Sequence, residues 1–312
     1  MYTFEGNGRP PWKWIGAGYG TIGKQGEEMT QGKATASTRN RFGGAWTEEK
    51  LERLKKYLGF YTQALKAQPF QLVYVDSFAG TGRCHIQGAS GSRVIDGSAK
   101  IALDCSPAFG AYHFIEKKKA HADELGELLR DHANGPRATL SMSGAADILP
   151  SLLNRYDWRS TRGVLFLDPY GLQCSWQMLE IIASTKALDV FFLVSLSGLF
   201  RQAAVNRRAV DSGKASALTR FLGTDEWKRA LYVNEQPDLF GDDPTVTRDK
   251  GYEAILQFTQ RRLGEAFPYV SQPLLLRGHK GPPLFALFFM VSNPDPKAIA
   301  LAARVGREIL HG

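Results

Sequence analysis

The run Tyr74-Val75-Asp76-Ser77-Phe78-Ala79-Gly80-Thr81-Gly82-Arg83 constrains the fold more than any other stretch of the chain. Apolar residues from Leu72 to Val75 lead into an acid, then an aromatic, then two glycines one residue apart. That order predicts a buried parallel strand, a tight turn and a helix just beyond, with glycines that let the backbone approach a ligand closely. An acid at the strand end, with no lysine in the turn, favours a ligand carrying positive charge over a triphosphate.

A second strand, Ala111 to Ile115, terminates in Glu116. An acid there is where a doubly wound sheet holds ribose hydroxyls. The interval from Gly82 to Glu116 is long for a dinucleotide site, and His85 stands where a third glycine would be. Both features count against NAD. Ala138 to Met142 reads as a third strand, followed by a small-residue turn and Asp147. Asp147 suits either an adenine amino group or the N-cap of a helix over Ile148 to Leu153.

Gly163 to Leu167 reads as a buried strand ending in Asp168-Pro169-Tyr170-Gly171. Asp168 and the Pro169 carbonyl can accept hydrogen bonds from an NH2 group, while Tyr170 offers a ring for a planar acceptor. A plain strand end or a magnesium-binding strand has the same outline. Following the Asp76 turn, the pair of stretches points to S-adenosylmethionine, whose ammonium, ribose and adenine would meet Asp76, Glu116 and Asp147. Phe78, Gly80 and Gly82 would shape that pocket.

Ahead of the first strand, Leu51, Leu54, Tyr57, Leu58, Tyr61 and Leu65 recur at helical spacing. Thr47 is the expected N-cap of this helix. Thr47 and Lys50 are either contacts for the cofactor's carboxylate or a capping residue and a solvated lysine. Cys84 to Gly97 reads as a loop, and Trp176 to Lys186 and Val190 to Leu196 as the next helix and strand. Residues from Leu199 to about Arg262 form a basic helical insert, with an acidic loop at Pro237 to Pro244. Arg201, Arg207 and Arg208 are its candidate substrate contacts, a solvated face being the other account. Tyr269 to Arg277 and Leu284 to Val291 form an antiparallel edge hairpin, and a last helix runs from Pro296 to Leu310.

Lysine and arginine number 39 against 31 acids, a net charge of +8, which suits an anionic partner such as nucleic acid and equally a soluble basic enzyme. The three cysteines are widely spaced with no Cys-x-x-Cys pair, so neither a zinc site nor a disulfide framework follows, and a cytoplasmic setting is expected. No apolar run approaches the ~20 residues that span a bilayer, so no membrane is expected. Residues 1 to 45 read as an irregular basic leader. Within it, Gly18-Tyr19-Gly20-Thr21-Ile22-Gly23-Lys24 satisfies a phosphate-loop spacing, but Gln25 stands where the magnesium-binding hydroxyl belongs and no apolar helix follows.

Together these stretches resemble the three-Cys-motif partner protein family (TcmP), a class I methyltransferase-like group. The resemblance rests on Trp46-Thr47-Glu48-Glu49-Lys50-Leu51 with Lys55, Tyr57 and Leu58, and on Tyr74 to Gly82. It extends to Phe114-Ile115-Glu116-Lys117, Leu167 to Gly171, Asn206-Arg207 and Phe288 to Pro294. These cover residues 45 to 312 in order. The resemblance implies a doubly wound, seven-stranded, mostly parallel α/β sheet over 46 to 312, S-adenosylmethionine as cofactor, and a three-Cys-motif partner protein. Asp168-Pro169-Tyr170-Gly171 looks like the Asp-Pro-Pro-Tyr device of adenine amino-methyltransferases, with one proline fewer and the aromatic one position early. The expected activity is methyl transfer to an exocyclic amine of a nucleic acid. The alternative is a non-catalytic module of the same fold, serving a partner in nucleic-acid processing or defence.

Overall fold

The computed structural model describes residues 44–88, 91–232, 234–236, 245–248, 251–278 and 281–312. The Gly18–Lys24 run with the rest of the leader up to residue 43, and the acidic loop at 237–244, lie outside the described residues.

Helix α1 (Ala45–Leu65) enters ahead of strand β1 (Gln71–Asp76), as its periodicity predicts. Its N-cap is Gly44 rather than Thr47, which lies inside the first turn with its amide bonded to the Gly44 carbonyl at 2.9 Å. After the glycine turn the expected loop is instead a two-stranded ladder, β2 (Arg83–Gly88) with β3 (Gly91–Asp96). Helix α2 (Ser98–Leu103), strand β4 (Ala111–Ile115), helix α3 (Lys119–Asp131) and strand β5 (Ala138–Ser141) follow. Helix α4 (Ala145–Leu153) takes Gly144 as its N-cap, so Asp147 falls in the first turn and is not the cap. Next come β6 (Thr161–Leu167), α5 (Trp176–Ser184) and β7 (Leu188–Ser195).

The insert contains α6 (Leu196–Gln202), α7 (Ser212–Leu222) and α8 (Trp227–Leu231). It is not wholly helical: β8 (Asn234–Gln236) and β9 (Thr245–Thr247) pair before α9 (Glu253–Ala266). The chain ends with β10 (Tyr269–Val270), β11 (Leu274–Arg277), β12 (Pro283–Val291) and α10 (Pro296–His311). The strand expected over 269–277 is split because Pro273 has no amide to donate. At the break, Ser271 Oγ instead accepts the Phe289 amide at 3.0 Å.

The main sheet runs β5-β4-β1-β6-β7-β12, with β10 and β11 sharing the outer edge of β12. The first five are mutually parallel; β12 is antiparallel to β7, β10 and β11. Eight strands thus fill seven positions, with the reversed strand one place in from the edge. Successive residues serve opposite layers. Val164 and Phe166 pack with α1, α2, α3 and α10, whereas Leu165 and Leu167 pack with α4, α5, α7 and α9. Both faces are covered, which is why these strands read as unbroken apolar runs.

Candidate active site

Asp76 closes β1 and is fully buried. In the sheet register it lies beside Phe114 of β4 and Phe166 of β6. Glu116 and Asp168 each follow those partners by two residues, so the three acids end three adjacent parallel strands. The turn between them is tied to both neighbours: the Ser77 amide donates to the Phe166 carbonyl at 3.1 Å and the Ala79 amide to Ile115 at 3.0 Å. This is the C-terminal edge of an open α/β sheet at the point where strand order reverses, the usual ligand crevice of such folds.

Asp76 accepts hydrogen bonds from the Phe78 amide at 3.2 Å and the Tyr74 hydroxyl at 3.4 Å. Burial pushes its pKa up to about 7; the Ser98 hydrogen bond, the Phe78 amide and the Lys50 charge pull it down, while Asp168 pushes it further up. An ionised Asp76 therefore lacks full compensation, which a ligand cation would supply.

Lys50 is not a solvated lysine. It is 4 % exposed, its ammonium forms an ion pair with Asp168, and it stands 5.5 Å from the Trp46 ring centroid and 5.7 Å from that of Phe166. Thr47, one helical turn earlier on the same face, is buried with its hydroxyl unpartnered. The Ser77 hydroxyl beside Asp76 is also buried and unpartnered. A buried hydroxyl left in that state costs ~1–3 kcal/mol, so an ordered water or a ligand's polar group is expected to meet it.

Glu116 is buried, with Oε2 accepting the Gly80 amide at 3.0 Å and Oε1 the Lys118 amide at 2.7 Å. A carboxylate has about four lone-pair positions, so capacity remains for two hydroxyl donors. Asp147 is exposed at the start of α4. Gly80 has φ +61° with open space where a Cβ would stand. Gly82 differs: an added Cβ would meet Leu128 Cδ1 at 2.9 Å, so its bareness serves the packing of α3. Phe78 is half-buried against the layer of α4 and α5.

Pro169 is buried, and Tyr170 is 52 % exposed with Lys118 Nζ 5.3 Å from its ring centroid. The insert starts alongside: a Cβ on Gly198 of α6 would lie 3.6 Å from Gly171. Arg201 is exposed at the end of α6. Arg207 instead lies 5.4 Å from Trp227 and 5.7 Å from Tyr232, committed to the insert's own packing. Arg208 is exposed, its amide bonded to Asn206 Oδ1 at 2.9 Å.

Sequence reasoning missed Ser77, Ser98, Lys118, His121 and Cys84 as neighbours of this site. His121 Nδ1 is 3.9 Å from Glu116 Oε1, and the Cys84 thiol feels the charges of Lys50, Asp168 and Asp76. Small polar residues directly after the strand end and after Gly97 were the available signal. Among the described residues no group of side chains has the arrangement of a metal site, and no helix is long and apolar enough to cross a membrane.

No family model matches the chain, and no curated protein matches it by sequence. Solved structures overlap it at low identity. A Legionella pneumophila protein assigned to the family DUF519 is 12 % identical with TM-score 0.47, covering 86 % of this chain and 94 % of its own. The spermidine synthase of Thermotoga maritima is 12 % identical with TM-score 0.38, over 85 % and 75 %. The methyltransferase domain of bacterial CtHen1 is 12 % identical with TM-score 0.35, over 77 % and 98 %. The chain has a fold of the class I methyltransferase type. Its strand order, the reversed β12 and its two helical layers define that fold.

Proposed function

We propose that this chain is an S-adenosylmethionine-dependent methyltransferase acting on an exocyclic amine of a nucleic acid. The observation that carries this is the convergence of Asp76, Glu116 and Asp168 on one sheet edge, with the buried, unpartnered hydroxyls of Thr47 and Ser77 beside them. Asp76 would hold the cofactor's ammonium, Glu116 its ribose hydroxyls and Asp147 its adenine. Thr47 and Lys50 would face its carboxylate, and the cofactor when bound supplies an electrophilic methyl group. Asp168 and the Pro169 carbonyl would orient the amine by accepting its hydrogen bonds, with Tyr170 stacked on the acceptor ring. Positioning of this kind is the main catalytic device.

The basic composition and the exposed Arg201 and Arg208 of the insert support a nucleic-acid acceptor. The quoted motifs support placement in the TcmP family and, with it, a three-Cys-motif partner protein. Isothermal titration with S-adenosylmethionine tests the proposal: binding is expected, with loss in Asp76→Ala and Glu116→Ala but not in Asp168→Ala. No binding by the wild type at millimolar ligand defeats it.

One observation favours the non-catalytic alternative: the acceptor carboxylate of Asp168 already carries an ion pair with Lys50. Cofactor binding without methyl transfer to any DNA or RNA tested would select that reading.

A further inference from the structure

The Lys50 ammonium lies close enough to Asp76 to lower its pKa, yet its hydrogen bond goes to Asp168. In that position it does two things to an incoming amine. It neutralises the carboxylate that should accept the amine's hydrogen bonds, and it places a positive charge beside a nitrogen that must itself become positive as the methyl group arrives. An ammonium fixed there opposes the charge that develops in the transition state.

The same helix face offers Lys50 a second destination. There Thr47 presents a buried hydroxyl without a partner, suited to a carboxylate. Charge balance leads the same way. Before ligand binds, two acids share one lysine. A zwitterionic cofactor end adds one cation and one anion, so that Asp76 can take the ammonium and Lys50 the carboxylate. The charge left over is then the anion of Asp168, at the acceptor.

Resting on the cofactor reading above, we propose that Lys50 is a positioning residue that changes partners. It holds Asp168 before the cofactor arrives, and moves to the cofactor's carboxylate when it binds, freeing Asp168 to receive the amine. Binding is thereby ordered, cofactor first and amine second.

The test is titration calorimetry on the full chain with S-adenosylmethionine and its decarboxylated analogue, which keeps the ammonium and lacks the carboxylate. Wild type should prefer the intact cofactor by about tenfold or more, the scale of one buried charge-assisted contact. Lys50→Met should abolish the preference and Lys50→Arg should retain it. Asp168→Asn should bind S-adenosylmethionine more tightly than wild type, because Lys50 no longer has to be drawn away; a purely structural ion pair gives no such gain. Thermal melts establish that each variant is folded. Unchanged or weakened binding in folded Asp168→Asn, or a preference surviving in Lys50→Met, overturns the exchange. Failure of the wild type to bind either compound overturns the cofactor reading beneath it.

Discussion

The Gly80 amide donates to Glu116 at 3.0 Å, so the acid after β4 holds the glycine turn after β1 in place. Glu116 therefore has a structural duty as well as a proposed one toward ribose. Glu116→Ala strands two amide donors and should lower the unfolding free energy by about 1–3 kcal/mol. Glu116→Gln keeps one acceptor oxygen and should lose less stability, while S-adenosylmethionine affinity falls in both. Urea titration and calorimetry on the same preparations separate the two duties.

The buried carboxyl of Asp76 sets the pH behaviour. Its pKa is raised from the ordinary 3.8 to about 7, so between those values the folded chain holds a proton that the unfolded chain has released. Its contribution makes stability fall as pH rises through that window, with no further change above it. Asp76→Asn should remove this slope, read as the difference between variant and wild-type unfolding free energies at pH 5 and pH 8. Ligand binding runs the other way, because an ammonium requires the ionised acid. S-adenosylmethionine affinity should rise from pH 6 to pH 7.5 in wild type and stay flat in Asp76→Asn.

The two glycines of the turn should respond differently to alanine. Gly80→Ala meets only the strain of φ +61°, a cost of about 1–2 kcal/mol. Gly82→Ala adds a Cβ 2.9 Å from Leu128 Cδ1 and 3.2 Å from Leu125 Cδ1, so the total should reach about 2–4 kcal/mol. Equal denaturation midpoints for the two variants would contradict the packing of α3 on the turn.

Cys84 provides a reporter. Burial raises its thiol pKa, and Lys50, Asp168 and Asp76 surround it electrostatically. Alkylation should be slow, and slower still with saturating S-adenosylhomocysteine, as followed by intact mass with Cys84→Ser as control. Labelling that ignores the ligand would place the binding crevice elsewhere.

The continuous apolar strands were legible because both faces of the sheet are covered, and the acids at their ends were legible because each interrupts such a run. The β2–β3 ladder was not. Gly88, Gly91 and Ser92 read as breakers, and β3 is largely exposed, leaving no alternation to detect. Lys50 reads equally as a solvated residue in sequence, because a lysine on an amphipathic helix usually is one. Its counter-charge lies 118 residues away in sequence, a pairing that no local pattern records. Thr47 resembled a cap for the same local reason, although the helix had already started at Ala45. The insert reads as helical as a whole, and its short β8–β9 ladder is too brief to leave a signature.

The hairpin of β2 and β3 leaves the turn at Gly82 and returns at Gly97, whose amide donates to the Gly82 carbonyl at 2.8 Å. Entry and exit thus share one closure point, and no strand of the main sheet has to shift if the segment between them is lengthened or exchanged. Evolution and engineering can therefore vary the hairpin while leaving the scaffold beneath it in register.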